Sequence, residues 1–370
     1  MPNTKYGATG HPIDRQLLWA VVGLFIAGLL ILTSASMTLS YKNFGSIGGY
    51  ALRQLVFGGG LGLVAMLIAS RIPYRLWRTW SLPLLLLSFL LLALLFVPQL
   101  GFSAGGATRW LRLGPIAFQP SEVLKIAFII YLASWLDARR REVASVSYGM
   151  IPFVIMLSVV GVFLLMQPDI GTLFVIVVTA GLLYFLGGGK TSQVVTLILL
   201  GIAMFYLLIQ LVPYRFDRVR VFLNPGLDPQ GAGYQVAQAR IAIGSGGFFG
   251  LGFGRGVQKY QYLPEPMGDS IFAIFTEEMG FLGAGSLIGL FFFLFLKGCA
   301  IARNAPDVFG KLLAAGIAVG IMTQAFVNMA AISGLLPLTG IPLPFVSYGG
   351  TSLAVMLAST GILMNISRNA

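Results

Sequence analysis

Apolar stretches of about twenty residues alternate along the chain with short breaks, and the breaks carry most of the charge. A helix needs about 20 apolar residues to cross about 30 Å of hydrocarbon. Dividing the chain at charges, Pro/Gly clusters and polar runs predicts ten helices. They fall at about 16–36, 51–69, 80–97, 121–136, 148–166, 169–187, 191–212, 270–296, 310–334 and 345–366. No internal repeat is visible, so an inverted-repeat transporter has no support. The largest break, 213–268, holds Tyr234, Phe248, Phe249, Phe253, Tyr260 and Tyr262. A connection so long and aromatic is expected to be ordered and functional. The first stretch ends in Ser34-Ala35-Ser36, faintly like a signal-peptidase site. It is long for a signal core and is expected to stay as the first helix.

Composition sharpens this picture. Hydrophobic residues make up 57% of the 370 positions and charged residues 10%, with mean hydropathy +0.88. Soluble domains carry about 25% charged residues. The expectation is an all-α, polytopic integral membrane protein: one transmembrane domain over 1–370, a cytoplasmic tail at 1–15, and a long extracytoplasmic loop before helix eight. One cysteine, Cys299, excludes an internal disulfide, and the one histidine, His11, precedes the first span. Imidazole catalysis and Cys/His metal clusters are thereby disfavoured.

Charge sets the orientation. With both termini on the cytoplasmic side, the inner segments hold 13 cations against 4 acids, and the remainder 11 against 8. The short loops 70–79 and 137–147 carry the bias, favouring N-in, C-in.

Three constellations stand out on the other side. Four of the twelve acids, Glu265, Asp269, Glu277 and Glu278, fall in YLPEPMGDSIFAIFTEEMG, residues 262–280. Asp269 opens the eighth helix, where a carboxylate meets the positive dipole end; capping alone would explain it, and capping does not exclude a site at a membrane mouth. Glu277 and Glu278 enter the span, so one of them is expected to meet a cation or a polar gap. In GGATRWLRLGPIAFQPSEVLK, residues 105–125, Glu122 and Lys125 share a helix face at i, i+3. Arg109 and Arg112 precede them, with Trp110 and Phe118 suited to the interface. The long loop adds Arg215, Arg218, Arg220, Arg240, Arg255 and Lys259. Nucleic acid is a poor partner there; anionic lipid headgroups or a diphosphate are the alternatives. GGGKT (187–191) is no P-loop, because Tyr184 stands where the first glycine belongs. GSGGFFGLGFG (244–254) follows no strand, so its glycines are expected to allow a tight re-entrant path.

GATRWLRLGPIAFQPSEVLK, QPDIGT (167–172), GAGYQ (231–235), IAIGSGGFFGLGFG, QKYQYLPEP and GIPLPFVSYGGTSL (340–353) together resemble the SEDS (shape, elongation, division and sporulation) family, in the same order and from first span to last. MNISR (364–368) leans towards its FtsW branch, with RodA close behind. The resemblance implies a peptidoglycan glycosyltransferase that polymerises lipid II at the outer face of the bacterial cytoplasmic membrane, in division or elongation, beside a class B penicillin-binding protein. It places the family's essential aspartate on Asp269, its ion pair on Glu122 and Lys125, and its loop arginine on Arg109. Two departures matter. The usual His-Thr-Asp-Phe reads Met267-Gly268-Asp269-Ser270, and the Ser-Arg before Gln258-Lys259 is Gly256-Val257.

The implied chemistry needs a base for a sugar hydroxyl and charge stabilisation for a leaving diphosphate. Asp269 is the expected base, with Glu265 second. Arg109, Lys125, Arg240, Gln258 and Lys259 are candidate substrate contacts, and Glu122 would hold Lys125. A divalent cation, Mg²⁺ or Mn²⁺, between Asp269 and a diphosphate is compatible with such a site; no organic cofactor is expected. The rival readings are a lipid II flippase, which would want polar groups through to the cytoplasmic side, and a non-catalytic scaffold for a transpeptidase.

Overall fold

The computed structural model describes residues 13–97, 99–104, 107–113, 116–211, 220–228 and 231–370. Lys5, His11, Arg215 and Arg218 lie outside the described residues. The ten expected segments all fall on helices. These are α1 (Arg15–Phe44), α2 (Gly49–Arg71) and α3 (Tyr74–Phe96), then α4 (Pro120–Ala138) after a small sheet. Next come α5 (Val146–Met166), α6 (Ile170–Leu186) and α7 (Thr191–Leu211). After the long connection follow α9 (Ile271–Asn304), α10 (Val308–Ile332) and α11 (Gly350–Ser367). The last begins later than expected, because 344–348 is turn and bend.

Among the described residues seven helices are long and apolar enough to cross a membrane; 170–186 and 191–207 are shorter apolar helices. Helix α4 carries Glu122, Lys125 and Asp137 within its 19 residues. Helix α10 is the centre of the bundle, buried along most of its length. Helices α3, α5 and α7 turn long apolar faces outward, as lipid-facing helices do.

The chain crosses back and forth between two ends. At the tail end Asp14 meets Ser367 and Lys297, Tyr74 meets Asn365 and Asp307, and Arg78 meets Asp137. The other, loop end carries two elements that the hydrophobic pattern does not reveal. One is an antiparallel sheet in the order β1 (Gly101–Ala104), β2 (Ala107–Leu113), β3 (Ile116–Phe118). Strand alternation buries Leu111 and exposes Arg112. The other is α8 (Ala232–Ser245), inside the long connection and packed on α9 and α10.

Helix α9 is broken. Gly280, at φ 65° and ψ −165°, leaves helical geometry and separates 271–279 from 281–304. Backbone at membrane depth must find partners within the protein, and the glycine-rich turn after α8 supplies them. Leu251 N–H donates to Glu277 O at 3.1 Å and Gly252 N–H to Glu278 O at 2.9 Å. Phe281 N–H donates to Gly247 O at 2.9 Å and Leu282 N–H to Phe248 O at 3.2 Å. A Cβ on Gly280 would stand 2.3 Å from Gly250 N, so glycine is obligatory at this crossing. The expected tight path of 244–254 is thus the turn that fills the gap in α9.

Candidate active site

Helix α9 starts at Ile271 with Ser270 as its N-cap. Asp269 therefore lies one residue ahead of the capping position, a correction to its reading as a helix cap. Its carboxylate is turned instead to α8, where Gln235 Nε2 donates to Asp269 Oδ1 at 3.1 Å and to Ser270 Oγ at 2.9 Å.

The peptide around Asp269 is held from the bundle side. Asn328 Nδ2 donates to Asp269 O at 3.0 Å and Ile341 O at 2.8 Å. Ser347 Oγ donates to Gly268 O at 2.6 Å, and Tyr348 N–H to Met267 O at 2.9 Å. Gln54, buried in a π-helical stretch of α2, secures that 341–349 segment through Ser347 O and Gly349 N–H. The result is a half-buried carboxylate beside a small hollow lined by Asn328, Leu338, Thr339 and Gly340. Burial pushes the nearby Tyr348 phenol up, so it stays protonated at neutral pH.

One helical turn along α10 from Asn328, Gln324 reaches the second constellation. Its Nε2 donates to Pro342 O at 3.0 Å, and its Oε1 accepts from Lys125. Lys125 Nζ also stands 2.9 Å from Glu122 Oε1, with both side chains under a tenth exposed. An ion pair so buried is costly unless fully hydrogen-bonded; Gln324 supplies Lys125 an added acceptor, while Glu122 Oε2 is buried with no hydrogen-bond partner among the described residues. Beside the pair lies a cavity of about 30 Å³ bordered by Glu122 and Lys125 and otherwise mostly by apolar side chains. Ser121 Oγ, at the start of α4, donates to Asp169 Oδ2 at 3.0 Å, and Asp169 caps α6. Thus α10 and the 341–349 segment join the Asp269 and Glu122/Lys125 constellations.

Several expected substrate contacts are committed elsewhere. Lys259 is buried, with Nζ 2.7 Å from Glu278 Oε1 and 3.0 Å from Ser34 Oγ. Glu278 also accepts from Ser34 Oγ and Gly254 N–H. This ties α1, the long connection and α9 together, with Lys259 committed to the ion pair and not turned to the Asp269 hollow. Both glutamates in the span find partners: Glu277 accepts from Val257 N–H at 2.9 Å and Gln258 N–H at 3.3 Å. Gln258 is itself buried beside them. Lys125, too, is held inside the bundle by Glu122 and Gln324 and does not line an open cationic surface.

Arg109 docks the sheet onto the α5–α6 turn, donating from Nε to Gln167 O at 3.1 Å and from Nη2 to Pro168 O. Two backbone carbonyls therefore engage the guanidinium expected on a phosphate. Arg240 is different. It is exposed, with Nη2 3.3 Å from Gly334 O on the loop that continues to the Asp269 hollow. Glu265 is also exposed; its carbonyl accepts from Gly268 N–H at 3.0 Å.

The residues that the sequence reading passed over are Gln235, Gln324, Asn328 and Ser347. Gln324 and Asn328 carried a signal, two amides at i, i+4 within one apolar span. Gln235 and Ser347 lay in quoted motifs without assigned roles.

Fold and site define a class: a multi-pass helical membrane protein with a carboxylate held in a pocket at one mouth of the bundle. Residues 15–370 match the FtsW/RodA/SpoVE family model, described as cell cycle protein. The chain belongs to that family. It is 39% identical over 355 residues to stage V sporulation protein E of Bacillus subtilis (strain 168), covering 96% of this chain and 97% of that protein. It is 41% identical over 354 residues to the probable peptidoglycan glycosyltransferase FtsW of Trichlorobacter lovleyi, covering 96% and 93%. Among solved structures it resembles a chain of a peptidoglycan synthase complex that coordinates polymerization and crosslinking, with TM-score 0.79, 30% identity and coverage of 96% and 98%. It also resembles the rod shape determining protein RodA of Thermus thermophilus, with TM-score 0.70, 28% identity and coverage of 99% and 98%.

Proposed function

We propose that this chain is a peptidoglycan glycosyltransferase that extends glycan strands from lipid II, with Asp269 as its general base. The observation that carries the reading is the placement of Asp269: a half-buried carboxylate, oriented by an amide, at the end of the bundle where the long connection folds. In the reaction the 4-hydroxyl of the acceptor sugar attacks the anomeric carbon of the donor. The C–O bond to the polyprenyl diphosphate breaks, and the hydroxyl proton passes to Asp269. The departing diphosphate needs positive charge more than a proton, and exposed Arg240 is the cation best placed for it; Arg255 is exposed on the same connection.

Among the described residues no three His, Cys, Asp or Glu side chains stand together to hold a metal. A divalent cation would therefore rest on Asp269 and the substrate's own phosphate oxygens, where it would neutralise diphosphate charge, a mode usual for Mg²⁺. The positive-inside bias supports placing the tail end in the cytoplasm and the Asp269 end outside the cytoplasmic membrane. The likeness to a chain of a complex that couples polymerization to crosslinking supports a transpeptidase of the penicillin-binding class as partner.

The test uses purified full-length protein in liposomes with labelled lipid II and that transpeptidase. Wild type is expected to give a glycan ladder and Asp269→Asn none, at least about 100-fold less product, with equal thermal stability. Equal ladders from both would remove Asp269 as base.

A further inference from the structure

The motif GAGYQ, residues 231–235, opens helix α8 and ends in Gln235, the amide that faces Asp269. Proton accounting fixes which way that amide points. Ser270 is buried, and its single hydroxyl proton goes to Pro264 O at 2.8 Å. Ser270 Oγ can therefore only accept from Gln235, 2.9 Å away, which turns the amide so that Nε2 faces it. The second N–H of that nitrogen then points at Asp269 Oδ1, 3.1 Å away. A carbonyl oxygen cannot occupy that place without breaking the Ser270 bond.

We infer that Gln235 is a positioning residue for the reaction: it fixes the rotation of the Asp269 carboxylate. Asn328 and Ser347 hold the peptide at 268–269, whereas Gln235 holds the carboxylate. Gln235 belongs to α8, within the long connection and outside the spanning helices. The orientation of the base thus depends on how that connection is seated on α9 and α10. The inference rests on Asp269 being the base.

The experiment measures polymerisation by full-length protein in liposomes at several lipid II concentrations, for wild type, Gln235→Met, Gln235→Glu and Asp269→Asn. Methionine keeps the length and loses the donor. It should lower kcat roughly 10- to 100-fold, the loss expected for a hydrogen bond to a charged group. KM should stay within about twofold and the unfolding temperature should not change, because a positioning role acts on the base and not on substrate affinity. Glutamate has the same shape but sets a like charge against Asp269, and should lose more at neutral pH. A Gln235→Met enzyme within about twofold of wild type, beside an inactive Asp269→Asn, would overturn the inference alone. So would a loss that came with raised KM and lowered unfolding temperature, the mark of a purely structural role. Should Gln235→Met fold poorly, Gln235→Glu must show the kcat loss at wild-type stability or the inference falls. Activity in Asp269→Asn would instead defeat the underlying reading, whatever Gln235 does.

Discussion

The two ends of the bundle use charged residues in opposite ways. At the tail end Arg75–Asp307, Arg78–Asp137 and Lys297–Asp14 pair at 3.1, 2.8 and 3.9 Å, with Arg75 and Arg78 about half exposed and Lys297 exposed by 24%. Asp14 and Asp307 also cap α1 and α10. At the loop end Glu122–Lys125 and Lys259–Glu278 are withdrawn from solvent almost completely. Exposed pairs contribute about 0–1 kcal/mol each, so the tail-end pairs add little to stability beyond the helix caps that Asp14 and Asp307 provide. Buried pairs carry large desolvation penalties and persist where geometry must be specified. The difference teaches that charge is invested in shape only at the end where the long connection must be held in place.

Breaking that contrast at its strongest point means removing one partner of a buried pair. Lys259→Met leaves Glu278 charged and buried against Ser34 and Gly254 N–H, and should destabilise by about 3–5 kcal/mol. Replacing both, as Lys259→Met with Glu278→Leu, should recover much of the loss, since apolar packing can replace a buried pair at little cost. Chemical denaturation in detergent micelles checks both. A Lys259→Met effect below about 1 kcal/mol would show this pair to behave like the exposed ones. By the same logic Arg78→Ala at the tail end should cost less than about 1 kcal/mol and soften further in salt.

Legibility in the sequence followed the range of each interaction. The spans were legible because an apolar run states its own burial. The Glu122–Lys125 pair was legible because i, i+3 spacing is local. The Lys259–Glu278 pair is not legible, because the partners lie 19 residues apart and spacing alone does not join them. The sheet and α8 were missed for a related reason: their mixed composition carries neither a long apolar run nor a clean period. The glycines of 244–254 announced an unusual path, but only the tertiary fold shows that their peptide groups complete α9. Asp269 was legible as chemistry in an apolar context. Its partner Gln235 was not, because the contact spans 34 positions.

The smallest effect, confined to acid, sharpens the tail-end side of the comparison. Burial pushes the Asp307 carboxyl up, but hydrogen bonds from the Tyr74 hydroxyl, Gly310 N–H and Arg75 outweigh it and hold it below the usual carboxylate range. A carboxyl depressed in the folded state contributes stability above its unfolded value, about pH 4, and loses it as pH falls through the folded one. Asp307→Asn keeps an acceptor for Gly310 N–H, since asparagine caps helices as well as aspartate does. It removes the charge and puts a donor in place of Oδ2, which accepts from Tyr74 and Arg75. The wild-type advantage over Asp307→Asn should therefore be constant between about pH 7 and pH 5 and shrink as pH falls below about 4, through the folded value. Thermal melts of the two proteins across that range read it directly. An advantage that persisted at low pH would mean that hydrogen-bond geometry, and not charge, is what Asp307 contributes, and the tail end would then resemble the loop end more closely than its exposed pairs indicate.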